Sequence, residues 1–93
     1  MITSFGDRDT ERVFSGEYTK RIPSEIRKRA QRKLDQLNSA EQLSDLLIPP
    51  SNRLHQLKGD KKDQWSISID KQFRICFTWN KGNAENVIIE DYH

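Results

Sequence analysis

Ninety-three residues with a formal charge of +2, 33% of them hydrophobic and 32% charged, leave room for one modest core and no second one, because a chain this short buries only about two-thirds of its unfolded surface. The single cysteine, Cys76, excludes an internal disulfide and offers no CxxC pair for a metal or redox centre, as in a reducing compartment. No apolar run nears the ~18 residues of a membrane span, and the opening "MITSFGDRDT" lacks a basic head followed by an apolar core, so one cytoplasmic domain over residues 1–93, with no membrane partner, is expected.

Met1 to Phe5 alternates as a short strand, and Asp7 or Asp9 stands where it would cap a short helix carrying Val13 and Phe14 and closed by Gly16. In "RIPSEIRKRAQRKLDQLNS" Pro23 suits a first turn and Ser24 a cap, while Ile26, Ala30, Leu34 and Leu37 fall on one stripe of a helix. From Lys20 to Lys33 seven bases face one acid. Among them Arg27, Lys28 and Arg32 wrap the helix rather than sharing a stripe, which suits a solvated surface or contacts with phosphate. Ser39 and Gln42 have the spacing of a capping box for a short helix that Pro49 and Pro50 must end.

The remainder reads as β structure. Trp65, Ile67 and Ile69 alternate onto one face, as do Phe73, Ile75, Phe77 and Trp79, leaving Arg74, Cys76 and Thr78 on the other. Short turn-rich links join "NRLHQLKG", "QWSISID", "QFRICFTWN" and "NVIIEDY" as an antiparallel meander. The expected fold class is α+β, an N-terminal strand and two helices packed on a mainly antiparallel sheet of four to five strands, whose uncovered face carries Arg74.

The chemistry-bearing side chains gather late in the sequence. His55 and His93 would share a cleft with Asp91 and Tyr92 if the first and last strands of the meander came together, with Lys58 and Arg74 as nearby cations. Cleavage of RNA by its own 2′-hydroxyl needs such a set: a base for the hydroxyl, an acid for the departing 5′-oxygen, and cations for the crowded anionic phosphorane. Histidine suits the proton steps because its ordinary pKa, about 6.5, lies near working pH. Two histidines and Asp91 could also hold zinc, but HExxH-type spacing is absent, so neither a metal nor another cofactor is expected. Cys76, mid-strand, reads as a small core residue.

The order "NRLHQLKGD", "WSISI", "FRICFTW" and "EDYH", with "MITSF" and "RKRAQRKLDQLNSA" before it, resembles the HigB-type toxins of the RelE/ParE toxin–antitoxin superfamily over nearly the whole chain. The resemblance implies a compact RelE-like, microbial-ribonuclease-type fold and a ribosome-dependent endoribonuclease that enters the A site and cuts mRNA. It places His55, Asp91, Tyr92 and His93 among the catalytic groups and Lys58 and Arg74 on the phosphate, with His93 expected to transfer protons, Asp91 to assist and Tyr92 to stack on or orient a base. It directs Arg27, Lys28 and Arg32 at ribosomal RNA, and implies three partners: a HigA-type helix-turn-helix antitoxin, the 70S ribosome and mRNA. The ParE branch shares the fold but acts on DNA gyrase, and a non-catalytic RNA-binding module is a further alternative.

Overall fold

The computed structural model describes residues 1–59 and 63–92. Helix α1 spans Arg8–Phe14 and α2 spans Ser24–Ser39; two 3-10 turns, Leu43–Leu47 and Pro50–Asn52, lead into strands β1 (His55–Gln56), β2 (Gln64–Ser68), β3 (Phe73–Asn80) and β4 (Asn83–Asp91). The strands form one antiparallel sheet in the order β1-β2-β3-β4. Along the outer edge of β4 the N-terminal segment runs parallel through isolated bridges at Ile2–Ala84 and Phe5–Val87, so the expected first strand forms only these two bridges, beside a sheet of four strands.

Local chemistry explains the helix limits. Asp7 caps α1 by accepting the Thr10 amide at 2.8 Å, and Gly16, at φ +80°, turns the chain away after it. Two expected caps move. Ser24 is the first residue of α2, whose N-cap is Pro23 and carries no side-chain bond, because the Pro23 ring fixes the entering backbone but offers no acceptor for the first-turn amides. The capping box belongs to Gln42 and Asp45 rather than to Ser39 and Gln42, with the Asp45 carboxylate accepting the Glu41 and Gln42 amides at 3.0 Å each. Those two bonds hold the Asp45 carboxyl below its ordinary pKa.

The stripe Ile26, Ala30, Leu34 and Leu37 is buried against the sheet, where it meets Ile67, Ile75, Phe77 and Ile89. Leu34 is fully buried. Leu34→Ala is therefore expected to cost about 2–5 kcal/mol of stability, read as a lower midpoint at unchanged slope in urea unfolding.

The edge of β4 is closed where the N-terminal segment leaves it. The Ile89 amide donates to the hydroxyl of buried Thr10 at 2.9 Å, and the Ile89 carbonyl accepts from Arg21 Nη1 at 3.0 Å. Arg21 is itself held by Asp7 at 2.8 Å and Asp9 at 3.1 Å. The β4 edge is thereby not left unpaired. At the other end of the strand, Lys81 and Gly82 both take positive φ, 51° and 84°, which is the two-residue turn whose twist suits a tight hairpin.

A bulge interrupts β4. Cys76 pairs with Ile88 but Thr78 pairs with Glu85, so Asn86 and Val87 together oppose Phe77, and Asn86 takes the left-handed conformation at φ 53°. Buried positions consequently step from Ala84 to Val87 and Ile89 instead of recurring every second residue. The N-terminal segment grips the bulge, with Ser4 Oγ accepting the Asn86 amide at 2.9 Å and the Val87 amide donating to the Ser4 carbonyl at 3.1 Å.

A candidate active site on the open face of the sheet

The face not covered by the helices carries a hollow of about 220 Å³ bordered by Leu57, Gln64, Cys76, Ile88, Glu90 and Tyr92. Alternation along β3 sends Arg74 and Cys76 to this face. The row His55, Ser66, Cys76 and Ile88 crosses the sheet in register, and Arg74 stands in the next row, between Ser68 and Glu90.

Arg74 organises this face. It is half-buried, and its guanidinium reaches diagonally: Nε donates to Ser66 Oγ at 2.9 Å, and Nη2 donates to the Arg53 carbonyl at 2.9 Å and meets His55 Nδ1 at 3.1 Å. A guanidinium only donates. His55 Nδ1 must therefore accept from it, which places the ring proton on Nε2, 3.5 Å from Ser66 Oγ. The 3.3 Å approach of His55 Nδ1 to the Arg53 carbonyl is then two acceptors sharing one donor. On the other side the guanidinium lies 5.9 Å from the centre of the Tyr92 ring. Nη1 has no hydrogen-bond partner among the described residues.

Burial lowers the Arg74 pKa, with Arg53 acting in the same direction and Cys76 and Tyr92 opposing. From so high an ordinary value it stays cationic at neutral pH. Burial also raises the Tyr92 phenol, helped by Cys76 and Glu90 and opposed by Arg74. The Tyr92 phenol is thus protonated at neutral pH, an aromatic ring with a hydroxyl beside Arg74.

The sequence-predicted residues divide into groups. His55, Arg74 and Tyr92 come together, but not by the expected route: β1 and β4 are opposite edges of the sheet with two strands between them, a separation of about 14 Å at ordinary strand spacing. Arg74 on β3 spans that gap. Asp91 pairs with Phe73 across the ladder and accepts from Gln72 Nε2 at 3.1 Å, and alternation points it away from the face shared by Glu90 and Tyr92. His93 lies outside the described residues. Lys58 is exposed just beyond β1. Among the described residues no three His, Cys, Asp or Glu side chains converge as metal ligands.

The helix bases separate as well. Arg27 lies over the Tyr18 ring at 5.4 Å, with Nη1 buried and unpartnered among the described residues. Lys28 is exposed on the helix surface, and Arg32 lines a second, basic hollow beside β2 and β3. Two members of the Arg74 cluster escape a reading by residue type, Ser66 and the Arg53 carbonyl. Their one signal is position: Ser66 is the polar residue between Trp65 and Ile67, and Arg53 precedes His55 by two.

None of the described helices is long and apolar enough to cross a membrane. Along its length the chain is similar to Toxin HigB-1 of Vibrio cholerae serotype O1, 38% identical over 93 residues that cover 99% of this chain and 98% of the relative. It is 32% identical to a Proteus vulgaris protein named Endoribonuclease HigB over 93 residues, all of both chains. An uncharacterized protein of Haemophilus influenzae shares 30% identity over 77 residues, 83% of this chain and 76% of that protein. The model of the HigB-like toxins, RelE-like toxins of type II toxin–antitoxin systems, matches residues 3–93. With this sheet, this Arg74 cluster and a match of that extent, the chain belongs to the HigB-like, RelE-type toxins of type II toxin–antitoxin systems.

Proposed function

We infer that this toxin is an endoribonuclease that cuts mRNA in the A site of the 70S ribosome by attack of the 2′-hydroxyl on the adjacent phosphate, without a metal, and so stops translation in the cytoplasm. The observation that carries this reading is the half-buried Arg74 guanidinium, held by Ser66 and Arg53 between the His55 imidazole and the Tyr92 ring, with Nη1 unpartnered among the described residues. The Proteus vulgaris relative bears the name Endoribonuclease. A type II toxin is one half of a pair, so a cognate antitoxin partners this chain, and we assign it to the HigA-type helix-turn-helix class.

In this mechanism the 2′-oxygen bonds to phosphorus as it loses its proton, and the 5′-oxygen departs as it gains one. Negative charge builds on the phosphorane between those events, where Arg74 Nη1 and Lys58 stabilise it most. His55, with its proton on Nε2, presents a donor to the phosphate rather than a free base, since its other nitrogen is taken by Arg74. Proton transfer falls to His93, with Asp91 assisting. Tyr92, neutral and 41% exposed, offers its ring to a base of the substrate, where stacking is worth about 1–3 kcal/mol. Arg27, Lys28 and Arg32 meet ribosomal RNA. The hollow on the Arg74 face holds only about 220 Å³, so the ribosome must supply much of the substrate's positioning.

Purified protein mixed with naked mRNA and with programmed 70S complexes is expected to cut only the latter at an appreciable rate. The products are expected to carry 2′,3′-cyclic or 3′-phosphate and 5′-hydroxyl ends, and the activity to survive chelation once ribosome integrity is corrected for. Equal rates on both substrates would remove the ribosome from the mechanism, 5′-phosphate ends would point to metal-assisted hydrolysis, and tight binding without any cleavage would leave a non-catalytic RNA-binding module.

A further inference from the structure

Beside the Arg74 cluster, between α2, the Pro50–Asn52 turn and the β2–β3 turn, lies a hollow of about 580 Å³. Five of its lining side chains are cationic, Arg29, Arg32, Lys33, Arg53 and Lys71, against one carboxylate, Asp70. That carboxylate is already engaged, its Oδ1 accepting the Gln72 and Phe73 amides at 2.8 Å each. None of the five cations forms an ion pair among the described residues. So many like charges around one hollow repel each other unless an anion enters.

The floor is built rather than merely crowded. Lys33 Nζ donates to Oδ1 of Asn52, which is fully buried and donates in turn to the Leu46 carbonyl at 3.1 Å and to Gln36 Oε1 at 3.2 Å. Burial and then the neighbouring Arg29 and Arg32 lower the Lys33 pKa, which is the mark of a cation fixed among cations.

The hollow also adjoins the catalytic cluster. Arg53, held at φ 47° after the Pro50–Asn52 turn, puts its side chain on the hollow and its carbonyl on Arg74 Nη2. Ser68, another wall residue, is the ladder partner of Arg74. A strand of RNA with its scissile phosphate at Arg74 therefore has its flanking phosphates beside these cations.

We propose that this hollow is a second phosphate site, one that binds the backbone of the substrate RNA strand next to the scissile bond. It rests on the reading of the Arg74 face as the site of RNA cleavage, and it is tested without cleavage. A fluorescent 2′-O-methyl RNA dodecamer, whose 2′-oxygens cannot attack, is titrated with the full chain over a range of salt and followed by anisotropy. The double variant Arg29→Gln, Lys71→Gln changes two exposed residues outside the catalytic cluster. It is expected to weaken binding by ~10-fold or more at low salt and to flatten the salt slope by about one unit or more, as loss of two single-strand phosphate contacts requires. Arg8→Gln with Arg12→Gln on α1 removes the same charge elsewhere and is expected to change neither, and the single variants Arg29→Gln and Lys71→Gln each show part of the effect if the pair folds poorly.

Equal weakening by the α1 pair would reduce the effect to overall charge and overturn the proposal. So would unchanged affinity in the hollow variants. Binding to ribosomes free of mRNA supplies the remaining arm: the hollow variants are expected to retain it, and loss there with full oligonucleotide affinity would give the hollow to ribosomal RNA instead. Full cleavage by Arg74→Ala would sink the catalytic reading and leave the oligonucleotide result standing, so the two failures are distinguishable.

Discussion

Replacing Arg74 by alanine is expected to lower the rate of mRNA cleavage on programmed ribosomes by ~100-fold or more while leaving ribosome affinity nearly unchanged. The reason is where the guanidinium spends its donors. Three go to Ser66 Oγ, the Arg53 carbonyl and His55 Nδ1, so the variant frees the imidazole Arg74 orients and, in the proposed mechanism, loses the charge for the phosphorane. Arg74→Lys separates these contributions, because an ammonium keeps the charge but has no planar fork to satisfy all three partners. It is expected to recover only a small part of the lost rate. Single-turnover cleavage, with co-sedimentation for binding, reads both variants; a wild-type rate in Arg74→Ala would remove the residue from the chemistry.

Removing Asp91 to His93 is expected to abolish cleavage while the melting temperature falls only slightly. Upstream, Val87 and Ile89 are fully buried and Ile89 is bonded through both its backbone groups to Thr10 and Arg21, so the strand stays anchored without its last residues. What the deletion takes away is the Tyr92 ring beside Arg74, together with the Tyr92 amide bond to the Gln72 carbonyl at 2.5 Å. His93→Gln is expected to lose most of the activity and still bind ribosomes, since an amide does not shuttle protons near neutral pH. If the truncated protein cut mRNA at the wild-type rate, the chemistry would have to rest on His55 and Arg74.

Periodicity made most of the fold legible. The stripe from Ile26 to Leu37 and the alternation through β2 and β3 survive into the structure because each is long enough to outweigh local exceptions. Caps were harder to place, since Ser24 and Ser39 have capping side chains and proline geometry and a competing Asp45 decided the outcome. The candidate site could be read from the sequence only as a list of residue types, not as an arrangement. Nothing in the spacing of His55 and Tyr92 reveals that they lie toward opposite edges of one sheet, or that a third strand's arginine joins them. The basic helix hid a division of the opposite kind, with Arg27 drawn to Tyr18 and Arg32 to a hollow shared with Arg53 and Lys71.

The bulge at Asn86 makes the catalytic face a matter of parity. A strand assigns odd and even residues to opposite sides, and one extra residue exchanges the assignment for everything after it. Counting on from Ala84 without Asn86's extra step, the inward set would run through Ile88 and Glu90 to Tyr92, burying a carboxylate and taking the ring from Arg74, while Val87 and Ile89 would face the solvent. With it, Val87 and Ile89 are inward and Tyr92 stands beside the guanidinium. The first residues of the chain, through Ser4 on Asn86 and Val87, hold that count in place. An amino-terminal segment far from Arg74 in the sequence thus helps to decide which of the last side chains stands beside it.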